Sequence, residues 1–375
     1  MLSCRWCGGS LGAQPMLALQ GMPSGAQSLP QQHELASDAG TDLRIHGCED
    51  CGLVQTVGAP VSYYRDVIRA NAFSPAMKAF RETQLAEWVG RHGLQGRPVL
   101  EVGCGRGEYL DLLRQAGARP WGTEHGVQAA QAARAGGHEV LTLYPGDAEL
   151  PADLCFDAWA SFNFMEHWPQ PRAVLRAVRQ RLAAGAVGLV EVPNFDMILR
   201  RQVVSEFIAD HVFYFTEATL RRCLEMAGFE VTQVRTIWHD YILSAELRPR
   251  AVPALDDFDR SLEGLRLALH AFVDRHQAGG VAVWGAGHQA LALLSLAELG
   301  PRLRYVVDSA PFKQGRYTPV SHLPIRAPEA LRQSPVAAVI VMAAGYSDEV
   351  VAQIRRAHGA ELALAILRED ALELA

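Results

Sequence analysis

Lysine is nearly missing from this chain: of its 35 cationic side chains only Lys78 and Lys313 are lysine. Against 41 acidic residues the formal charge is −6, and no block of basic residues interrupts the sequence. Polyanion binding needs a dense run of cations, so no nucleic-acid partner is expected. No apolar run reaches the about 18 residues of a membrane-spanning helix, so no membrane partner is expected either. The start, MLSCRWCGG, shows neither a charged leader nor an apolar stretch, and reads as lacking an export signal. Seven cysteines in such a chain point to a reducing compartment, the cytoplasm, where clustered thiols serve metals more often than disulfides. With 375 residues, 49% hydrophobic and 20% charged, the chain has the composition of a globular protein of two or three domains.

Three zones follow one another. Residues 1–68 are rich in Gly, Pro and Gln and short on periodic structure. Residues 69–248 alternate apolar runs with helical patterns, which predicts a parallel sheet covered by helices. The segment LRPRAVPALDD, Leu247 to Asp257, carries two prolines and reads as a linker. A helical stretch from Phe258 to Arg275 then opens a second alternating zone, 249–375.

Cys4 and Cys7 form one C-x-x-C, Cys48 and Cys51 another, and glycine follows each pair. Two such knuckles complete a four-thiolate zinc site, and four thiolates leave no open position for chemistry, so the zinc is expected to be structural. Cys104, Cys155 and Cys223 read as small apolar residues. The long loop between the knuckles holds GMPSGAQSLP, residues 21–30.

The run RPVLEVGCGRGEYLDLLRQAG predicts a strand, Val99 to Val102, a turn at Gly103, Gly105 and Gly107, and a helix from about Tyr109. Glycines let backbone approach a ligand, and a helix N-terminus offers free N–H groups. Glu101 ends the strand, and WGTE brings a second strand-terminal acid, Glu124, about twenty residues on, where an acid can take ribose hydroxyls. This pattern resembles class I S-adenosylmethionine-dependent methyltransferases over residues 75–248. The resemblance extends to GDAEL, to FDAWASFNFMEHWPQP, to GLVEVPN and to the reversed final hairpin AGFEVTQVRTIWHDYILSAEL. It implies that Glu101 and Gly103 contact the methionine moiety, that Gly105 and Gly107 complete the cradle, that Glu124 holds the ribose and that Asp147 lies beside the adenine. Asn163, Glu166 and His167 then fall just past the fourth strand.

After the fifth strand comes a long insertion, NFDMILRRQVVSEFIADHVFYFTEATL. The order of zinc module, transferase core and second α/β domain resembles the C-methyltransferases of nucleotide-linked deoxy-4-keto sugars over essentially the whole chain. Their fifth strand reads E-V-P, here Glu191 to Pro193, and a tyrosine-histidine-glutamate-histidine block follows. Here the block is Ile208, Ala209, Asp210 and His211, so the acid and final histidine are matched while the tyrosine and first histidine are not. Methylating carbon beside a carbonyl needs a base, and neutral histidine is suited to that. His211 is the first choice and His167 its competitor; Tyr214, Asn163 and Glu166 would bind substrate or orient the base. A structural turn at His211 remains the alternative. Adjacency in sequence does not make Asp210 and His211 a dyad.

A second glycine turn, VAVWGAGHQALALLSLAELG, fits G-x-G-x-x-A at Gly285, Gly287 and Ala290, with Asp308 ending the next strand. Taken alone it admits a dinucleotide. The family likeness implies instead a Rossmann-like domain that helps hold a nucleotide sugar, and VVDSAPFKQGRYTPVSHLPI resembles the corresponding segment. Lys313 and Arg316 would meet a diphosphate. Gln27 stands where the family loop carries an amide toward substrate, and Tyr63 and Tyr64 could lid the cleft or simply pack. The expected function is S-adenosylmethionine-dependent C-methylation of a nucleotide-linked keto sugar. The alternatives are an O- or N-methyltransferase of another small metabolite and a non-catalytic nucleotide-sugar scaffold. Oligomeric state is not legible.

Overall fold

The alternating pattern resolves into an α/β fold in the computed structural model, which describes residues 2–27, 29–66, 74–369 and 371–375. The boundary expected at 68/69 lies outside the described residues. The chain divides into two compact units, Met1–Ala251 and Val252–Ala375.

The first unit opens with three antiparallel strands, β1 (Leu17–Met22), β2 (Thr41–Gly47) and β3 (Val54–Val57). Helix α1 (Pro75–Arg91) starts at Ser74, whose hydroxyl accepts the Met77 N–H, with Pro75 at a position that needs no donor. The core then runs β4 (Pro98–Val102), α2 (Glu108–Gln115), β5 (Arg119–Thr123), α3 (Val127–Ala135), β6 (Glu139–Leu141), β7 (Phe156–Phe162), α4 (Pro171–Arg179) and β8 (Leu182–Pro193). After α5 (Phe195–Arg201) and the two-residue β9 (Phe213–Tyr214), α6 (Glu217–Met226) leads to the hairpin β10 (Phe229–Ile237) and β11 (Ile242–Pro249).

Seven strands form one sheet in the order β10-β11-β8-β7-β4-β5-β6. Those from β4 to β8 are parallel and β11 runs antiparallel against β8. This is a class I methyltransferase core, Rossmann-like, with the reversed last hairpin. Both faces are covered, so the strands read as apolar runs. One face packs Val99, Ala158, Ala160 and Leu189 on Leu85, Trp88 and Val89 of α1. The other packs Leu100, Val102, Trp159 and Val190 with α4 and α6. Chain order reverses between β4 and its neighbours β5 and β7, which opens the ligand crevice at the strands' C-terminal ends.

The N-terminal ribbon does not stand apart. Strand β9, from the insertion, pairs with β3, setting Val54 opposite Tyr214 and Gln55 opposite Phe213. Trp6 lies edge-on to Phe213 and Phe215, and its indole N–H reaches the Cys223 carbonyl at 3.0 Å. Cys104 and Cys223 are buried as expected, whereas Cys155 is exposed; it lies just before β7, where the chain is still at the surface.

The second unit begins with α7 (Phe258–His276). It builds a six-stranded sheet in the order β14-β13-β12-β15-β16-β17 from β12 (Val281–Trp284), β13 (Val306–Val307), β14 (Ile325–Arg326), β15 (Ala338–Val341), β16 (Ala363–Leu367) and β17 (Leu372–Leu374). All pairs are parallel except the last, β16 with β17. Helix α8 (His288–Leu296) follows the glycine turn after β12, the Rossmann-like connection. Among the described residues no helix is long and apolar enough to cross a membrane.

Candidate active site

The first cradle sits where β4 ends. Gly103, Gly105 and Gly107 all take positive φ, +76°, +57° and +98°, which side-chain-bearing residues rarely adopt. A Cβ on Gly107 would lie 2.8 Å from the His138 ring. The loop is held to β5 by Gly103 and Cys104 N–H groups donating to the Thr123 carbonyl. Glu124, 1% exposed, accepts from the Gly105 N–H at 2.9 Å and from the Gly126 N–H at 2.8 Å. The carboxylate therefore stands over both the glycine turn and the start of α3. Glu101 is buried on β4 at the same end of the sheet. Asp147 has a partner the sequence did not signal: Arg65 donates to it at 2.6 Å while lying 4.4 Å from the centre of the Tyr64 ring. Tyr64 in turn meets Tyr144 edge-on, and the buried Tyr144 hydroxyl has no partner among the described residues.

Past the end of β7 the backbone is strained. Asn163 holds φ +45°, a conformation unusual outside glycine, and its buried Oδ1 has no partner among the described residues. A short turn then presents Glu166 and His167. His167 Nδ1 meets the Asp210 carbonyl at 2.8 Å, which fixes that nitrogen as the N–H donor and leaves Nε2 with its lone pair. The His211 ring is 5.0 Å from that of His167 and 6.1 Å from Tyr214. Glu166, His167 and His211 each bring a polar atom to within 4.8 Å of the others. Burial pushes the Glu166 carboxyl up to about 8, and its Oε2 has no partner among the described residues. Burial, then the neighbouring His167, pulls His211 down to about 3; burial lowers His167 as well. Near neutral pH the cluster is thus a protonated carboxyl beside two neutral imidazoles. The His167 side chain keeps 24% exposure, so a substrate can reach it.

Asp210 is turned away from the imidazoles. Its carboxylate accepts from the Ala26 N–H and the Tyr63 hydroxyl, both at 2.8 Å, and Tyr63 also accepts from the Gln27 N–H at 3.2 Å. The loop holding Gln27 is thereby tied to the residue next to His211. Tyr214 is buried, its hydroxyl against the Ile208 backbone, and burial pushes it up to about 12.

Cys4, Cys7, Cys48 and Cys51 converge from the two knuckles, with Sγ separations of 3.7 Å for Cys4–Cys51 and 3.4 Å for Cys7–Cys48. A tetrahedral ion with thiolates at about 2.3 Å needs edges of about 3.8 Å. The donor set therefore fits zinc.

In the second unit, a cleft of about 310 Å³ is lined by Trp284, His288, Asp308, Lys313, Met342 and Tyr346. Asp308 accepts from the Ala286 and Ala310 N–H groups and from Lys313 Nζ, 2.8 to 2.9 Å away. Three of the about four acceptor sites of that carboxylate are used and its charge is balanced, which disfavours it as a grip for dinucleotide ribose. Lys313 is thus engaged with Asp308 rather than free, while Arg316 is exposed.

Sequence reasoning missed one feature near the crevice. Arg81 of α1 and Glu191 of β8, both 0% exposed, form a 2.5 Å ion pair supported by Gln84 and Ser244. Glu191 was visible in the E-V-P motif; nothing local to Arg81 signalled its burial.

Comparison with known families agrees with this architecture. The methyltransferase-domain family matches residues 77–234, and the C-methyltransferase C-terminal-domain family matches 244–366. C-methyltransferase NovU of Streptomyces niveus is 26% identical over 295 residues, 70% of each chain. A protein of Mycolicibacterium smegmatis named "Probable S-adenosylmethionine-dependent methyltransferase" is 33% identical over 43% of this chain and 62% of its own. A ubiquinone biosynthesis O-methyltransferase of Aromatoleum aromaticum is 26% identical over 40% of this chain and 70% of its own. Residues 77–234 thus match an S-adenosylmethionine-dependent methyltransferase domain, and residues 244–366 match the C-methyltransferase C-terminal domain that follows it.

Proposed function

We propose that the protein transfers the methyl group of S-adenosylmethionine to carbon, next to the carbonyl of a nucleotide-linked keto sugar. The observation that carries the reading is the His167–His211 pair beside Glu166, uncharged bases at the crevice end of the sheet. The Gly103–Gly107 turn, Glu101 and Glu124 hold the donor, with Asp147 and Asn163 at its margins. When bound, the donor supplies an electrophilic methyl on a sulfonium. His211 would remove the proton α to the carbonyl and leave that carbon nucleophilic, ready to receive the methyl with S-adenosylhomocysteine as the leaving group. The Glu166 carboxylate, with the higher proton affinity, receives the proton from the imidazoles. Tyr214 shapes the wall, and Asp210 keeps Gln27 and its loop over the substrate. In the second unit, Arg316, with Lys313 held at Asp308, is the cation we assign to binding a diphosphate. Cys4, Cys7, Cys48 and Cys51 would hold a structural zinc. NovU's name as a C-methyltransferase and the C-terminal family match support this reading.

The test is methyl-labelled donor with a panel of nucleotide-linked 4-keto-6-deoxy sugars, locating the label in the product. Label in a base-stable C–C bond is expected. Label on oxygen or nitrogen makes the protein a different kind of transferase, and no transfer to any sugar nucleotide refutes the substrate class.

The proton relay carries a pH signature. Glu166 must be ionised to accept, so turnover is expected to rise as pH passes about 8. Glu166→Gln should remove that limb and cost roughly 10²-fold or more in kcat. Its folded-state pKa lies above the ordinary value of 4.5, so Glu166 costs stability progressively as pH rises from 4.5 towards 8. Thermal melts of the Gln variant should therefore gain on wild type at pH 8 and match it near pH 4. An unchanged pH–rate profile would remove Glu166 from the relay.

A further inference from the structure

Arg81 is wholly buried, yet half of its hydrogen-bonding edge is idle. Nη1 donates to Gln84 Oε1 at 2.7 Å and to Glu191 Oε2 at 2.5 Å. Nε and Nη2 have no acceptor among the described residues. Those two nitrogens share one side of the guanidinium and present parallel N–H bonds, a geometry that matches the two oxygens of a carboxylate. Burying donors without acceptors is unfavourable, so a buried fork left unmatched by the protein points to a ligand group.

Its place in the fold says which group. Alternate residues of a strand share one face. Val99 and Leu189 pack against α1, so Glu101 and Glu191, two residues further along their strands, lie on that same face. Glu101 is in register with Ala160, and Glu191 with Phe162, on the strand between them. The guanidinium carbon is 5.4 Å from the Tyr109 ring and 5.8 Å from Phe162. Tyr109 is two residues past Gly107, so the fork lies beside the glycine cradle. Glu191 is already matched by Arg81, Gln84 and Ser244, which leaves the other edge of Arg81 for an anion from outside.

We propose that the Nε–Nη2 edge of Arg81 grips the carboxylate of the methyl donor's methionine moiety, at the end of the sheet where Glu101 also lies. This rests on the donor reading of the glycine cradle and extends it to a residue in the helix before the first core strand. Arg81 is then a cofactor-binding residue, and its pairing with Glu191 fixes the angle at which the sulfonium is offered.

Titration calorimetry tests it with two probes, S-adenosylhomocysteine and its decarboxylated analogue S-adenosyl-3-thiopropylamine. Wild type is expected to favour the first by on the order of 10- to 100-fold. Arg81→Lys keeps a cation for Glu191 but lacks the fork, and should bind the two probes alike. The double variant Arg81→Gln, Glu191→Gln replaces the ion pair by an amide pair, and should lose the preference too if the lysine variant does not fold. Equal affinities in wild type, or a retained preference in either variant, overturns the assignment while leaving the donor site standing. No binding of S-adenosylhomocysteine to wild type removes the donor reading itself.

Discussion

His211→Ala is expected to lower kcat by roughly 10²- to 10⁴-fold while leaving the affinity for S-adenosylhomocysteine near wild type. The backbone at His211 is held independently of its ring. Thr56 Oγ1 donates to the His211 carbonyl at 2.8 Å, and the Thr56 N–H donates to the Val212 carbonyl at 2.9 Å. Truncation therefore removes the imidazole without releasing the segment. With its pKa pulled down to about 3, the ring is uncharged at neutral pH, its lone pair open but its hold on a proton weak. Its weak hold on that proton is useful only if a stronger acceptor stands nearby, the role proposed for Glu166, whose carboxyl burial pushes up to about 8. His211→Asn separates shape from basicity, because the amide keeps polarity and cannot serve as base. Deuterium exchange at the carbon α to the substrate carbonyl, measured without donor, reads the first step alone and should vanish in both variants. Wild-type-like exchange in His211→Ala would take His211 out of the mechanism; its loss in His167→Asn instead would move the role to Nε2 of His167.

What was legible in the sequence is what local rules govern. Gly103, Gly105 and Gly107 announce themselves because only glycine takes their φ values without strain. The doubly covered sheet shows as apolar runs such as PVLEV and AVIV. The C-x-x-C knuckles carry their geometry in their spacing. What was not legible depends on where side chains end up after distant segments meet. Asp210 follows the family's acidic position beside His211, but its carboxylate turns to Ala26 and Tyr63, 184 and 147 residues away in sequence. The pairing of β3 with β9 rests on two residues of strand, too short for any period-two pattern to register. Arg81 occupies an ordinary position in an amphipathic helix, and only the sheet behind it makes it a buried cation. Asp147 was placed by family position beside the adenine, and its pairing with Arg65 lies 82 residues away in sequence.

Removing the metal should silence the enzyme without emptying its donor site. The reason is the route from the thiols to the base. Arg222 of α6 donates to the Cys51 carbonyl at 2.7 Å, and Trp6, between the first two cysteines, packs on Phe213 and Phe215. Strand β3 starts three residues after Cys51 and carries Thr56, which holds His211, and Val54, which pairs with Tyr214. A zinc ion closing the two knuckles would thus fix the strand on which the His211 segment is laid. A small four-thiolate module has little core of its own, and metal binding supplies its folding energy, about 10–16 kcal/mol in isolated zinc-binding peptides. Cys51→Ser, or chelation of the wild-type protein, is expected to lower kcat/KM by at least the roughly 10²-fold seen when a proton-transfer group is lost. Residues 2–27 and 29–66 should become sensitive to limited proteolysis, while calorimetry with S-adenosylhomocysteine changes little, because the glycine cradle is built from β4, β5 and α2. Readdition of zinc should restore turnover to chelated protein and not to Cys51→Ser. Full turnover in metal-free protein would break the link between the thiols and His211, and loss of donor binding together with turnover would mean that the metal supports the whole first unit rather than its catalytic insertion.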